Sequence, residues 1–196
     1  MIGIINYEAG NIASVSNALN TIGARFVVTD DATVLQRCNG IILPGVGAAP
    51  GAMAALKRKG LDDFLFRCDL PVLGICLGMQ LLFRESEEGP IDCIGVFPGE
   101  VRKFDERRQK VPHMGWNEVR RTKDNHLLHG IQEREYFYFA HSYYVDTGEA
   151  AIATTVQAQA FASVIAKGNY YGTQFHPEKS GKAGLTILRN FESLCK

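Results

Sequence analysis

The sequence predicts an α/β fold organised around a parallel sheet, and three observations predict it. In the first half of the chain, short apolar runs (2–5, 26–28, 41–43 and 70–75) alternate with helical patterns. Strand–helix–strand repetition of this kind builds parallel sheets covered on both faces. The runs are apolar at nearly every position rather than at alternate ones, as doubly buried strands require. In the second half, strand candidates crowd together with only turns between them, which predicts a mainly antiparallel extension.

Each element has its own signal. Ile2-Gly3-Ile4-Ile5 reads as the first strand, followed by a helix over 12–22 that ends near Gly23 as a C-cap. Phe26-Val27-Val28 is the second strand, and Asp30 or Asp31 is placed to cap a short helix before Gly40. Ile41-Ile42-Leu43 is the third strand, 52–66 a second long helix, 70–75 the fourth strand, and 79–83 the opening of a further helix. Beyond these, 95–104, 115–121, 136–145, 151–156 and 161–166 read as strands, and 170–175 rejoins the core. A closing helix over 182–195 carries Leu185, Leu188, Phe191 and Cys195 near one face. With no internal repeat, linker or low-complexity tract, the expected architecture is one domain spanning 1–196. It is a flavodoxin-like, three-layer arrangement with helices on both faces of a mainly parallel sheet.

Composition narrows the function classes. The chain has 21 Lys+Arg against 21 Asp+Glu, so no global field recruits nucleic acid or an anionic membrane. The basic cluster from Arg102 to Lys110 is interleaved with Asp105 and Glu106 and reads as a solvated loop or hairpin. No run approaches the ~20 apolar residues that span a bilayer, and the N-terminus has neither basic flank nor cleavage site. The five cysteines are scattered without a C-x-x-C pair, which argues against a disulfide framework or a zinc site and for a reducing cytoplasm.

Chemistry is concentrated at three places. Gly74-Ile75-Cys76-Leu77-Gly78 has the form Gly-x-nucleophile-x-Gly, with a buried strand before it and a helix after it. A sharp turn there holds the nucleophile at the strand tip, sets its sulfur at a helix N-terminus, and aims the Leu77 N–H at a developing oxyanion. Cys38, Cys68, Cys93 and Cys195 lack that context and read as packing residues. A cysteine nucleophile needs a base and an orienter. His176, directly after the 170–175 strand in His176-Pro177-Glu178, is the candidate base. Pro177 biases it to extended backbone, where Glu178 would lie on the same side. His126 and His129 read as surface residues, and His113 and His141 as residues that line the site without being the base. The Pro44-Gly45-Val46-Gly47 loop follows the third strand, ends on the same sheet edge as Cys76, and offers a second oxyanion donor.

Together, Gly74-Ile-Cys-Leu-Gly-Met-Gln80, Pro44-Gly-Val-Gly47 and His176-Pro-Glu178 resemble the class I (triad) glutamine amidotransferases over essentially the full length. Three further segments resemble one branch of that family, the glutaminase subunits of imidazole glycerol phosphate synthase: Asn6-Tyr7-Glu8-Ala9-Gly10-Asn11, residues Pro112 to Asn117, and residues Tyr136 to Tyr143. Position 8 is Glu where that branch often has glycine, and Val46 stands where many other relatives carry a second glycine.

The resemblance implies a triad of Cys76, His176 and Glu178, with oxyanion donors from Leu77 and from Gly45, Val46 and Gly47. It also implies glutamine contacts from Gln80, Ser142 and Tyr143. It implies no cofactor and no metal. The expected partner is a (β/α)8-barrel cyclase subunit, joined in a heterodimer and fed with ammonia. Asn11, Pro112, His113, Met114, Trp116, Asn117, Tyr138 and Lys179 would lie toward that interface or the ammonia path. Two other readings remain open on the residues: a different amidotransferase subunit sharing the triad, and a non-catalytic redox sensor or chaperone with a cysteine at an elbow.

Overall fold

In a computed structural model that describes residues 1–7 and 11–196, the apolar runs of the first half form one side of a nine-stranded sheet, with 26–29 as its edge strand. The elements in order are β1 (Ile2–Ile5), α1 (Ile12–Thr21), β2 (Phe26–Thr29), α2 (Ala32–Leu35), β3 (Gly40–Leu43), α3 (Ala49–Arg58), α4 (Leu61–Phe66), β4 (Val72–Ile75) and α5 (Leu77–Leu81). They continue with β5 (Phe83–Ser86), β6 (Ile91–Asp92), β7 (Phe97–Lys103), β8 (His113–Arg121), β9 (Arg134–His141), β10 (Tyr143–Val145), β11 (Ala151–Val156), β12 (Ala160–Lys167), β13 (Tyr170–Thr173) and α6 (Gly181–Leu194). Short 3-10 turns occupy His126–Leu128 and Pro177–Lys179.

The main sheet runs β2-β1-β3-β4-β13-β12-β11-β8-β9. Its first five strands are parallel and its last four continue antiparallel, which is the predicted division. The period of two divides side chains between two cores. Ile2, Ile4, Ile42, Leu73 and Ile75 pack with α1 and α6 on one face. Ile5, Ile41, Leu43 and Val72 pack with α3, α4 and the second sheet on the other. Asp31 caps α2 by accepting from the Thr33 N–H. α6 buries Gly184, Ile187, Leu188 and Phe191, so its inward face includes Ile187 beside the predicted Leu188 and Phe191.

Three expectations need correction. The helix predicted over 52–66 is two helices, because Gly60 takes φ +64 between them and turns the chain. The helix predicted over 79–83 stops at Leu81. Phe83 begins strand β5, stacks on Phe97 at 5.3 Å between ring centroids and is buried. The strand predicted over 136–145 is broken at Ser142, so β9 stays in the main sheet while β10 joins a second sheet ordered β10-β7-β5-β6. In that sheet β5 and β7 run parallel, a pairing that local sequence does not reveal.

The basic cluster begins at the end of β7 and passes into a turn. There Lys103 pairs with Glu106 and Arg107 with Asp105, while Arg102 reaches Asp146. Exposed pairs of this kind add little to stability. No helix among the described residues is long and apolar enough to cross a membrane. The Glu8 departure from the family pattern lies outside the described residues.

Candidate active site

The site forms where β4 and β13 lie side by side in parallel, Ile75 opposite Thr173, so that the residues leaving both strands emerge on one edge. Cys76 follows β4 with φ 53 and ψ −109, the one positive φ of a non-glycine residue among the described residues. Backbone held in so sparsely populated a region needs support on all sides. The Cys76 N–H donates to the Thr173 carbonyl at 2.7 Å, and the Cys76 carbonyl accepts from the Gln80 N–H at 3.2 Å.

The glycines of the motif are there because backbone meets backbone. A Cβ on Gly78 would sit 1.9 Å from the Leu43 carbonyl oxygen of β3, and one on Gly74 would sit 2.6 Å from the Gly78 oxygen. Helix α5 is little more than one turn, so it carries no long helix dipole, and the N–H groups of its first turn, Leu77 among them, have no partner within the helix. The 44–47 loop packs straight onto this backbone, since a Cβ on Gly45 would lie 2.4 Å from the Gly78 nitrogen. Buried Tyr7 anchors the loop by donating from Oη to the Pro44 carbonyl at 2.7 Å. Gly47 has φ +95 and Val46 is 40% exposed, so the loop's tip lies at the surface above the elbow.

His176 lies three residues beyond the end of β13, and its N–H donates to the Tyr138 carbonyl of β9 at 2.9 Å. Its Nδ1 lies 2.9 Å from Glu178 Oε1, with the two side chains 3% and 1% exposed. The reason for this contact differs from the sequence expectation. His176 is extended, but Pro177–Lys179 is a 3-10 turn that folds Glu178 back under the ring. Ser180 locks the turn, donating from Oγ to the His176 carbonyl and accepting from the Tyr138 N–H. With Nδ1 engaged by Glu178, Nε2 is left for Cys76. Burial pushes the His176 pKa down, but the Cys76 and Glu178 contacts more than offset it and carry it up to about 10. Both contacts favour the imidazolium form of the ring. The packing cysteines are the opposite case: burial pushes Cys93 up to about 11 and Cys195 up to about 12, leaving inert thiols.

Gln80 is buried, and its Nε2 donates to the Tyr143 carbonyl and to Gln174 Oε1, both at 2.9 Å. Any glutamine contact by Gln80 is thus left to its Oε1. The Ser142 carbonyl accepts from the Phe104 N–H at 3.1 Å. The Tyr143 carbonyl also accepts from His141 Nδ1 at 2.7 Å, and this assigns a whole chain of tautomers. His141 Nε2 must accept from His113 Nδ1 at 2.9 Å, and His113 Nε2 from Asn117 Nδ2 at 3.2 Å. This chain is satisfied only with both rings neutral.

Burial lowers the His141 pKa to about 3; it outweighs the upward pull of the Tyr143 hydrogen bond and is helped by repulsion from any proton placed on His113 or His176. An unfolded histidine takes a proton near its ordinary value, about 6.5, which the folded His141 refuses, so stability is lost as pH falls below that value. We expect the stability gap between the wild type and His141→Gln to narrow by about 2 kcal/mol between pH 7 and pH 5. Urea unfolding at the two pH values checks this, and a constant gap would contradict it.

The remaining candidates lie on or beside the β8–β9 ladder. Met114 and Trp116 are exposed, 65% and 57%, and Trp116 meets the Tyr138 ring edge to face at 6.3 Å. Lys179 Nζ sits over the Tyr138 ring, 5.9 Å from its centroid. Asn117 is half-buried, His113 points inward, and Pro112 precedes the strand. Asn11 is the N-cap residue of α1. His126 and His129 are exposed, with stacked rings 6.4 Å apart.

Sequence reasoning passed over Gln174, which is fully buried and lies with its Nε2 3.7 Å from Cys76 Sγ. The available signal was an amide side chain immediately before Phe175 and His176, in a strand end with no other use for a polar group.

Residues 4–193 match the family described as "Glutamine amidotransferase class-I". Imidazole glycerol phosphate synthase subunit HisH of Bacteroides fragilis is 48% identical over 195 residues, covering 98% of this chain and 99% of that protein. Subunit HisH 2 of Legionella pneumophila is 45% identical over 196 residues, covering 99% and 98%. Among solved structures, a glutamine amidotransferase superposes with TM-score 0.77 at 17% identity, covering 99% and 98% of the two chains. PurLQS from Thermotoga maritima superposes at 0.75 with 19% identity, covering 100% and 98%. At such identity these two likenesses concern the fold.

Proposed function

The chain belongs to the class I glutamine amidotransferases, and from that premise we propose how it works as the glutaminase subunit of an imidazole glycerol phosphate synthase. It hydrolyses glutamine to glutamate and ammonia. The observation that carries the reading is the buried His176–Glu178 pair brought beside a nucleophile held at φ 53.

The Cys76 thiolate attacks the side-chain amide carbon of glutamine. The oxyanion that forms is met by the Leu77 N–H and by N–H groups of Gly45, Val46 and Gly47. The His176 imidazolium protonates the departing nitrogen, so that ammonia leaves and a glutamyl thioester remains on Cys76. Neutral His176 then takes a proton from water, whose attack releases glutamate and restores the thiolate–imidazolium pair. Glu178 holds the tautomer and balances the charge throughout. Gln80 Oε1 and the Ser142–Tyr143 segment hold the amino-acid end of glutamine.

The exposed Met114 and Trp116, flanked by Tyr138, Lys179, Pro112, Asn117 and Asn11, form the face for a (β/α)8-barrel cyclase in a heterodimer. Ammonia passes there without meeting bulk water, where protonation would remove its nucleophilicity. The chain acts as one domain over 1–196, and its five unpaired cysteines suit a reducing cytoplasm.

The test is glutaminase activity of the purified chain with and without the cyclase and the cyclase's nucleotide ligand. We expect weak activity alone and a rise of at least about tenfold in the liganded complex, an allosteric coupling of ordinary size. Full activity in isolation, unchanged by the partner, would remove the cyclase from the reading.

A further inference from the structure

Two side-chain amides near Cys76, those of Gln80 and Gln174, have only one consistent orientation. The Tyr143 carbonyl is an obligate acceptor, so the Gln80 group facing it at 2.9 Å is the NH2 end. The second N–H of that group then donates to Gln174, which turns the Gln174 oxygen toward Gln80 and its own NH2 toward Cys76 Sγ, 3.7 Å away. The Gln174 backbone is pinned by its N–H to the Ser163 carbonyl at 2.9 Å, and the side chain is wholly excluded from solvent. The neutral His113–His141 pair fixes the Tyr143 carbonyl from the other side. An amide buried this completely, with its orientation relayed through Gln80 from a strand carbonyl, is preorganised to donate to sulfur.

We propose that Gln174 is a further catalytic residue, whose side-chain N–H holds the Cys76 sulfur and stabilises it as a thiolate, both before attack and when the thioester breaks. The assignment of a catalytic step rests on the glutaminase reading above; the N–H···S contact itself does not. A hydrogen bond to a charged group in a dry site is worth far more than one to a neutral thiol, so its effect falls on the thiolate–thiol balance. The other titratable groups that bear on Cys76 are His176 before the Pro177–Lys179 turn, Tyr7 after β1, and, through His176, Glu178 and His141.

The test is the pH dependence of Cys76 alkylation by iodoacetamide in the full chain, for wild type, Gln174→Met and Gln174→Glu. Met keeps the length of the side chain and removes the donor, while Glu keeps the shape and adds repulsion. We expect the alkylation midpoint to rise by about one to two pH units in Gln174→Met and by more in Gln174→Glu. In the cyclase complex, kcat with glutamine should fall about tenfold to a hundredfold, with KM within about threefold of wild type. Ammonia-dependent synthesis by the same complex reports that each variant is folded and docked. A midpoint within about 0.3 units of wild type in either folded variant would overturn the proposal. A shifted midpoint in a chain whose wild type shows no glutaminase activity would instead count against the functional reading and leave the N–H···S contact standing.

Discussion

We expect Cys76→Ala to abolish glutamine hydrolysis, lowering the rate by at least about four orders of magnitude, while ammonia-dependent synthesis by the proposed cyclase complex continues. The size of the effect follows from the proposed mechanism. Burial raises the pKa of the other four cysteines, and every remaining group in that mechanism, from His176 to the loop N–H donors, acts on an intermediate that cannot form without sulfur. The selectivity follows from the fold. Alanine keeps the Cβ of cysteine at φ 53 and removes only an atom whose neighbours are Ala140, Gln174 and His176. Elbow, loop and docking face therefore stay in place. The measurement is glutamate production and ammonia-driven turnover on the same preparation. Residual glutaminase near wild type would overturn the nucleophile, and loss of both activities would show that Cys76 holds the structure as well.

Gly78→Ala carries the second large effect, on stability rather than chemistry. The new Cβ would lie 1.9 Å from the Leu43 oxygen and 2.9 Å from its carbonyl carbon, with no flexible side chain to yield. Either β3 or the elbow must move, and both are held in the sheet by β4. We expect a loss of more than about 3 kcal/mol, read as a lowered denaturation midpoint or as failure to fold. Gly51→Ala is the matched control. It lies in α3 with open space around its would-be Cβ, so it should be neutral or stabilising by up to about 1 kcal/mol. Equal effects at the two positions would refute the packing argument.

The same close approach explains how the elbow was legible in the sequence. Gly74 is required by its own turn, and Gly78 and Gly45 by the meeting of the elbow with β3 and the loop after it, but all three stand in short motifs that reading along the chain detects. The parallel strands were legible for a similar reason, because burial on both faces makes every position of β1, β3 and β4 apolar. The Glu178 contact was legible but its cause was not. Proline suggested extension, while the Ser180 lock, which depends on a Tyr138 N–H from a distant strand, made a 3-10 turn.

What was legible in the sequence by itself was therefore the elbow that holds Cys76, the His176-Pro177-Glu178 segment beside it, the sheet they share, and through resemblance the glutamine substrate. Each is carried by residues close together in the chain or by a periodic pattern. What only the tertiary structure decided was the break between β9 and β10, the second sheet, the inward turn of His113, and the amide path from Tyr143 through Gln80 and Gln174 to the sulfur. The bonds from Gln80 join residues 63 and 94 positions away, and the contact of Gln174 with Cys76 spans 98. Hydrogen-bond partners so far apart leave no spacing to read. Their roles exist only once the sheet has closed and excluded water from them.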